Sequence, residues 1–145
     1  MSRTIRRRTL RFDEVEVGDD LPELPIELTP TLIISTAIAS RDYQDVHHDR
    51  DLARERGSKD IFMNILSTNG FVGRFVTDWA GPEARLKSVS IRLGAPNYPY
   101  DVMTMSGRVE ELRQGDGEGL VEIAVRGANG LGDHVSGSVT LALPL

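Results

Sequence analysis

Residues 64 to 80 carry one apolar face that only a helix gathers onto one side, and every periodic stretch after Gly81-Pro82 alternates as strands do. Ile65, Leu66, Val72, Phe75, Val76, Trp79 and Ala80 recur at spacings of one, three and four, the pattern of a long helix laid on a core. Gly81-Pro82 ends it. Gly70 and Gly73 fall inside this helix, and each costs about 1 kcal/mol relative to Ala. A helix that keeps both is expected to have another backbone packed close against it.

Beyond Gly81, Val89, Ile91 and Leu93 alternate with Ser88, Ser90 and Arg92, and the stretches 120–125 and 135–143 alternate in the same way. Gly115-Asp116-Gly117 and Asn129-Gly130 between them are turn chemistry suited to hairpins. Four strands joined by short turns after one apolar helix predict an α+β domain, an antiparallel sheet wrapped around the helix. Upstream, Thr29-Pro30 opens a short helix over 31–40. Asp49 caps a second over 50–56 that Gly57 closes. Between Phe12 and Thr29 the acidic, proline-spaced chain allows one or two strands at most, around Val15-Glu16-Val17 and Ile26-Glu27-Leu28. No βαβ alternation is present, and the glycines at 94, 107, 127 and 130 do not form a phosphate loop.

The length of 145 residues suits one domain. With no cysteine, disulfides, thiolate metal sites and cysteine nucleophiles are excluded. The first eleven residues hold five arginines and no acid, so a chain total of −5 leaves about −10 on the remainder. This acidic body argues against nucleic acid as a partner. No apolar run spans a bilayer or reads as a secretory signal, so a soluble cytoplasmic domain over 12–145 is expected, preceded by a flexible basic arm over 1–11.

The chemistry gathers in Arg41-Asp42-Tyr43-Gln44-Asp45-Val46-His47-His48-Asp49. Adjacent histidines on extended chain face opposite sides, and no helical His pair accompanies them, so no metal site is expected. Asp42 and His47 are a different matter. A carboxylate and an imidazole aimed at one point can hold a water, one taking a proton while the other delivers one, as addition of water to a double bond requires. A thioester carbonyl also needs donors, and the free N–H groups at the start of the long helix, at Asn64 and Ile65, are candidates to supply them. The third histidine, His134, falls at an expected turn and reads as a surface or interface residue. Lys59, Arg85 and Lys87 read as surface charge.

The Asp42–Asp49 loop resembles the hydratase motif of the MaoC-like, (R)-specific enoyl-CoA hydratases, Gly-Asp-x-Asn-Pro-x-His-x-Asp. The segment from Arg92 to Asp101 is similar to that family's Arg-Phe-x-x-Pro-x-x-Pro-Gly-Asp, and Asn129-Gly130 through Gly137 to its last hairpin. The resemblance covers about residues 25 to 143 and implies the hot-dog fold, with Asp42 and His47 as the catalytic pair. It departs at Gln44-Asp45, which replace the Asn-Pro of the turn, and at Asn64 and Tyr100, which replace glycines. At Asn64 the backbone donor stays, and the side chain is expected to narrow the approach of the thioester.

These variants, with Gly57-Ser58-Lys59-Asp60-Ile61-Phe62, are similar to a narrower group within the family: the small subunits of heteromeric enoyl-CoA hydratases in actinobacterial steroid side-chain degradation. That likeness implies a second MaoC-like chain lacking the Asp/His pair, a heterotetramer, and a steroid enoyl-CoA substrate. No cofactor is implied, CoA being part of the substrate. Two other readings stay open: a hot-dog acyl-CoA thioesterase, and a non-catalytic scaffold subunit.

Overall fold

The computed structural model describes residues 7–145. Its elements run β1 (Asp20–Leu28), α1 (Pro30–Ala39), α2 (Arg50–Glu55), α3 (Ile65–Ala80), β2 (Arg85–Leu93), β3 (Asp101–Gly115), β4 (Glu118–Asn129) and β5 (Gly132–Leu143). The five strands form one antiparallel sheet in the order β1-β3-β4-β5-β2. The sheet curls around α3, the α+β hot-dog arrangement expected.

Each element follows from local chemistry. Thr29 Oγ1 accepts the Leu32 N–H at 3.0 Å and Pro30 fills the first helical position, where its missing N–H costs nothing. Asp49 caps α2 through the Leu52 N–H at 3.1 Å. In β4, Val121, Ile123 and Val125 face the helix while Leu120, Glu122 and Ala124 face outward. Val121, Ile123 and Val125 belong to one core cluster with Val72 and Val76 of α3, and each fully buried aliphatic side chain contributes roughly 1.5–3 kcal/mol by leaving water.

The buried face of α3 keeps Val72, Phe75, Val76 and Ala80 of the apolar pattern but differs at the helix start. Ser67, Thr68, Phe71, Val72, Phe75, Val76 and Ala80 are buried, whereas Ile65 and Leu66 are half exposed. Two hydroxyls are tolerated inside because each finds a hydrogen-bond partner. Among the described residues no other backbone packs on the glycines. The Cα of Gly70 faces open space, and Gly73 meets only the Leu86 side chain.

Two expectations for the N-terminal region are corrected. Val15-Glu16-Val17 is not a strand, because a 3-10 turn at Phe12–Glu14 and the left-handed Gly18 fold the chain so that Val15 enters the core. Nor is the whole arm over 1–11 loose. Thr9 and Leu10 are buried, the Leu10 N–H reaches Ala80 O at 2.7 Å, and the Glu83 N–H reaches Thr9 Oγ1 at 2.7 Å. The arm's first six residues lie outside the described ones. Gly81 makes this docking possible. It ends α3 at φ +109, and a Cβ there would stand 2.4 Å from the Thr9 Cα.

Candidate active site

The loop from α1 to α2 is bent back by its own hydrogen bonds. Past the end of α1, the Arg41 N–H bonds Ile38 O and the Asp42 N–H bonds Ala37 O, both at 3.0 Å. This is a Schellman motif, and it puts Arg41 in the left-handed region at φ 58, where helix ends usually place glycine. Asp42 then accepts the Gln44 N–H on Oδ1 at 3.2 Å. That side-chain turn does the work expected of an Asn-Pro pair, and a 3-10 turn over Asp45–His47 carries His47 back over Asp42. Asp45 is held by the Arg56 guanidinium at 2.8 Å.

His47 is buried with its Nε2 3.4 Å from Asp42 Oδ2. Its Nδ1 lies 2.7 Å from Phe62 O, and its ring meets the Phe62 ring edge-on. A carbonyl oxygen can only accept, so Nδ1 carries a proton and Nε2 is the nitrogen that exchanges one. Asp42 and Nε2 therefore converge on one point, as the sequence suggested. His48 turns the other way, into a cleft of about 390 Å³ lined by Pro30, Ile34, Arg50, Pro99 and Tyr100 among others, and neither Asp42 nor His47 lines it.

Asn64 closes the site from the side of α3. It caps that helix with Oδ1, which accepts the N–H and the hydroxyl of Ser67. Its Nδ2 donates to Asp42 Oδ2 at 3.1 Å and to Ser40 Oγ at 2.9 Å. The donated hydrogen bond from Asn64 holds the Asp42 carboxyl below the usual carboxylate range against the opposing cost of burial. The side chain is buried and turned toward these partners. With the cap spent on Ser67, the N–H groups of Asn64, Ile65 and Leu66 have no partner among the described residues. They sit at the positive end of a 16-residue helix.

Other expectations settle differently. His134 is not at the surface. It lies in β5 beneath α3, with Nε2 2.8 Å from Thr68 Oγ1 and Nδ1 2.7 Å from Ala95 O, and burial pushes its pKa below the ordinary value. The turn lies one step earlier than expected, at Gly130-Leu131, so Gly132 and Asp133 already belong to β5 and the strand carries the ring inward. Lys59, Arg85 and Lys87 are exposed, as expected of surface charge; Arg85 and Lys87 pair with Glu118, and Lys59 sits over the Tyr98 ring. Asn97 was missed. It is fully buried, accepts from Asn129 Nδ2 at 2.9 Å, and offers its backbone oxygen to the Met63 N–H just ahead of the Asn64 cap. Among the described residues no group of three or more His, Asp or Glu could hold a metal, and no helix is long and apolar enough to cross a membrane.

No family profile matches the chain. Over 127 residues it is 54% identical to the beta subunit of 3-oxo-4,17-pregnadiene-20-carboxyl-CoA hydratase from Mycobacterium tuberculosis, a match covering 88% of this chain and 95% of that protein. The chain belongs to the MaoC-like hydratase family. This MaoC-like chain also superposes on a chain of the ChsH1–ChsH2 complex of Mycobacterium tuberculosis with a TM-score of 0.82 at 55% identity, over 88% of this chain and 98% of the other. The R-hydratase PhaJ1 of Pseudomonas aeruginosa shares the MaoC-like fold at 22% identity and TM-score 0.80, over 94% of this chain and 86% of that one. A MaoC-like dehydratase of Rhodospirillum rubrum shares it at 16% and 0.77, over 94% and 98%.

Proposed function

We propose that this chain is the Asp/His-bearing subunit of a heteromeric hydratase that adds water across the double bond of an α,β-unsaturated CoA thioester, the acyl group being a steroid with a shortened side chain. One observation carries the reading: Asp42 Oδ2 and His47 Nε2 converge within 3.4 Å beside the amino end of α3, in a chain 54% identical to a steroid-CoA hydratase subunit.

The chemistry follows from the proton inventory. Asp42, kept ionised by the Asn64 amide and the Gln44 N–H, accepts one proton of a water lying between it and His47. The hydroxide oxygen bonds to the β-carbon as the π electrons move toward the thioester. His47, as imidazolium, delivers its Nε2 proton to the α-carbon. Asp42 then holds the extra proton and His47 lacks one, and transfer across their contact resets the pair. The enolate-like oxygen formed on the way takes hydrogen bonds from the Asn64 and Ile65 N–H groups, with the helix dipole adding to the stabilisation. Water is the only co-reactant, and no cofactor is called for. We place the working compartment in the cytoplasm, where CoA thioesters are available.

A polycyclic acyl group needs a cavity larger than one helix and one sheet enclose, and such cavities form at interfaces. We therefore assign the steroid's binding space to a contact with a second MaoC-like chain lacking the Asp/His pair, in a heterotetramer. The likeness to a chain of the ChsH1–ChsH2 complex supports a heteromer of this kind. The test is co-expression with such a chain, followed by incubation with 3-oxo-4,17-pregnadiene-20-carboxyl-CoA. A product heavier by one water, with no free thiol, is the expected result. Release of CoA thiol would replace this reading with a thioesterase, and no turnover with a scaffold.

A further inference from the structure

The site contains one side chain whose chemistry exceeds the role its position requires. An N-cap needs only an acceptor, and Ser and Asp fill that position as well as Asn does, with Thr a little behind. Of these four, Asn alone offers separate acceptor and donor atoms on one rigid plane. At Asn64 both ends are used. Ser67 presents a backbone N–H, which can only donate, so the carboxamide oxygen must face it and the nitrogen must face Asp42 and Ser40. The orientation of the amide is thereby fixed by its partners.

The two protons of Nδ2 then join three elements. One goes to Ser40 Oγ at the end of α1, whose own hydroxyl is committed to Thr36 O at 2.8 Å. The other goes to Asp42 Oδ2. With Gln44 N–H on Oδ1, each carboxylate oxygen has one fixed donor, so the plane of the group cannot rotate and Oδ2 stays turned toward His47. An aspartate at position 64 would set two carboxylates against each other, and a serine that caps the helix would be too short to reach Asp42.

We infer that the Asn64 carboxamide is a positioning residue for hydration, locking the Asp42 carboxylate in register with the amino end of α3 so that the water held by Asp42 and the thioester oxygen held by the helix approach as one unit. The inference rests on the hydratase reading for its catalytic consequence. Its structural half, the hold on Asp42, is independent of it.

The test uses Asn64→Ser, which keeps a strong helix cap, and Asn64→Gly, which keeps the backbone N–H and is a tolerated cap residue. The side-chain carboxyl of Asp42 is followed by NMR titration of the full chain, its signal assigned by its disappearance in Asp42→Asn. Both variants are expected to move that titration upward, toward the usual carboxylate range. Hydration by the co-expressed complex is expected to lose about 10- to 100-fold in kcat, as for removal of a hydrogen bond to a charged group, with KM changed less than about threefold.

A more basic Asp42 is in itself a better proton acceptor, so a fall in kcat alongside a raised pKa marks lost orientation. An unmoved titration in either folded variant, or unchanged kcat in both, overturns the inference. Failure of both to fold overturns it too, because Asn64 would then act through the fold. If the wild-type complex itself does not hydrate, the functional reading fails, while the titration still decides whether Asn64 holds Asp42.

Discussion

Thr68 Oγ1 stands 2.8 Å from Nε2 of His134, in the buried layer between α3 and the sheet. On its other side the imidazole meets Ala95 O, which can only accept, so Nδ1 carries the proton and Nε2 receives the threonine hydroxyl. A neutral ring satisfies both partners. Thr68 lies one turn from Asn64, so this buried contact anchors the same end of α3 that the site uses.

Burial depresses the folded pKa of His134, with the hydrogen bond to Ala95 opposing in part. The unfolded chain then binds a proton more readily than the folded one. The stabilisation is complete above the unfolded value of about 6.5 and is lost as pH falls from there toward the folded pKa. Urea midpoints of the wild type and His134→Gln are expected to differ most near pH 7.5 and to converge toward pH 5. A difference that stays constant over this range would mean that His134 is not buried as the neutral ring.

Arg41 occupies a position suited to glycine. A non-glycine residue at φ 58 costs on the order of 1 kcal/mol. Both Schellman bonds are made by backbone atoms, so Arg41→Gly keeps them while removing the strain. The unfolded state regains some entropy with glycine, which offsets part of the gain. A rise in stability of about 0.5 kcal/mol by urea denaturation is expected, and a fall would show that the arginine side chain contributes contacts of its own.

The sequence exposes much of this arrangement because α3 and the strands bury regular faces, and because caps and turns use residues with a single physical reason to be there. Thr29, Asp49 and Gly81 are of that kind. The Asp42/His47 pair could be picked out since both lie in one short loop and match a family motif in register. The supports of the pair were hidden for a common reason. His134, Thr68 and Asn97 are polar residues that become core residues only through partners far away in sequence, such as Thr68 for His134 and Asn129 for Asn97. Periodicity assigns such residues to the surface. The half-exposed Ile65 and Leu66 are the converse error, apolar residues at the exposed start of α3 that the apolar pattern counted as core.

Gly70 lies in the middle of α3, and a Cβ added there meets nothing within 4 Å. In an exposed helix interior alanine is favoured over glycine by about 1 kcal/mol. Gly70→Ala is therefore expected to raise the urea midpoint of the chain by an amount equivalent to about 0.5–1 kcal/mol. A loss of stability in the chain alone would mean that its own backbone approaches Gly70 more closely than the structure shows.

The decisive prediction concerns Asp42 and His47 together. Asp42→Asn keeps an acceptor for the Gln44 N–H but forfeits the charge that the proposed mechanism uses to take the water's proton. His47→Ala removes the Nε2 donor and leaves Phe62 O without its imidazole partner. Each is expected to lower kcat for enoyl-CoA hydration by about 10²- to 10⁴-fold, the usual contribution of a positioned acid or base. If the two share one water and reset each other as proposed, the double variant should lose little more than the worse single variant. Losses that multiply would mean that the two side chains act on separate steps, and full activity in either single variant would end the assignment of that residue. Co-elution of each variant with the second chain, checked by size-exclusion chromatography, separates lost chemistry from lost assembly.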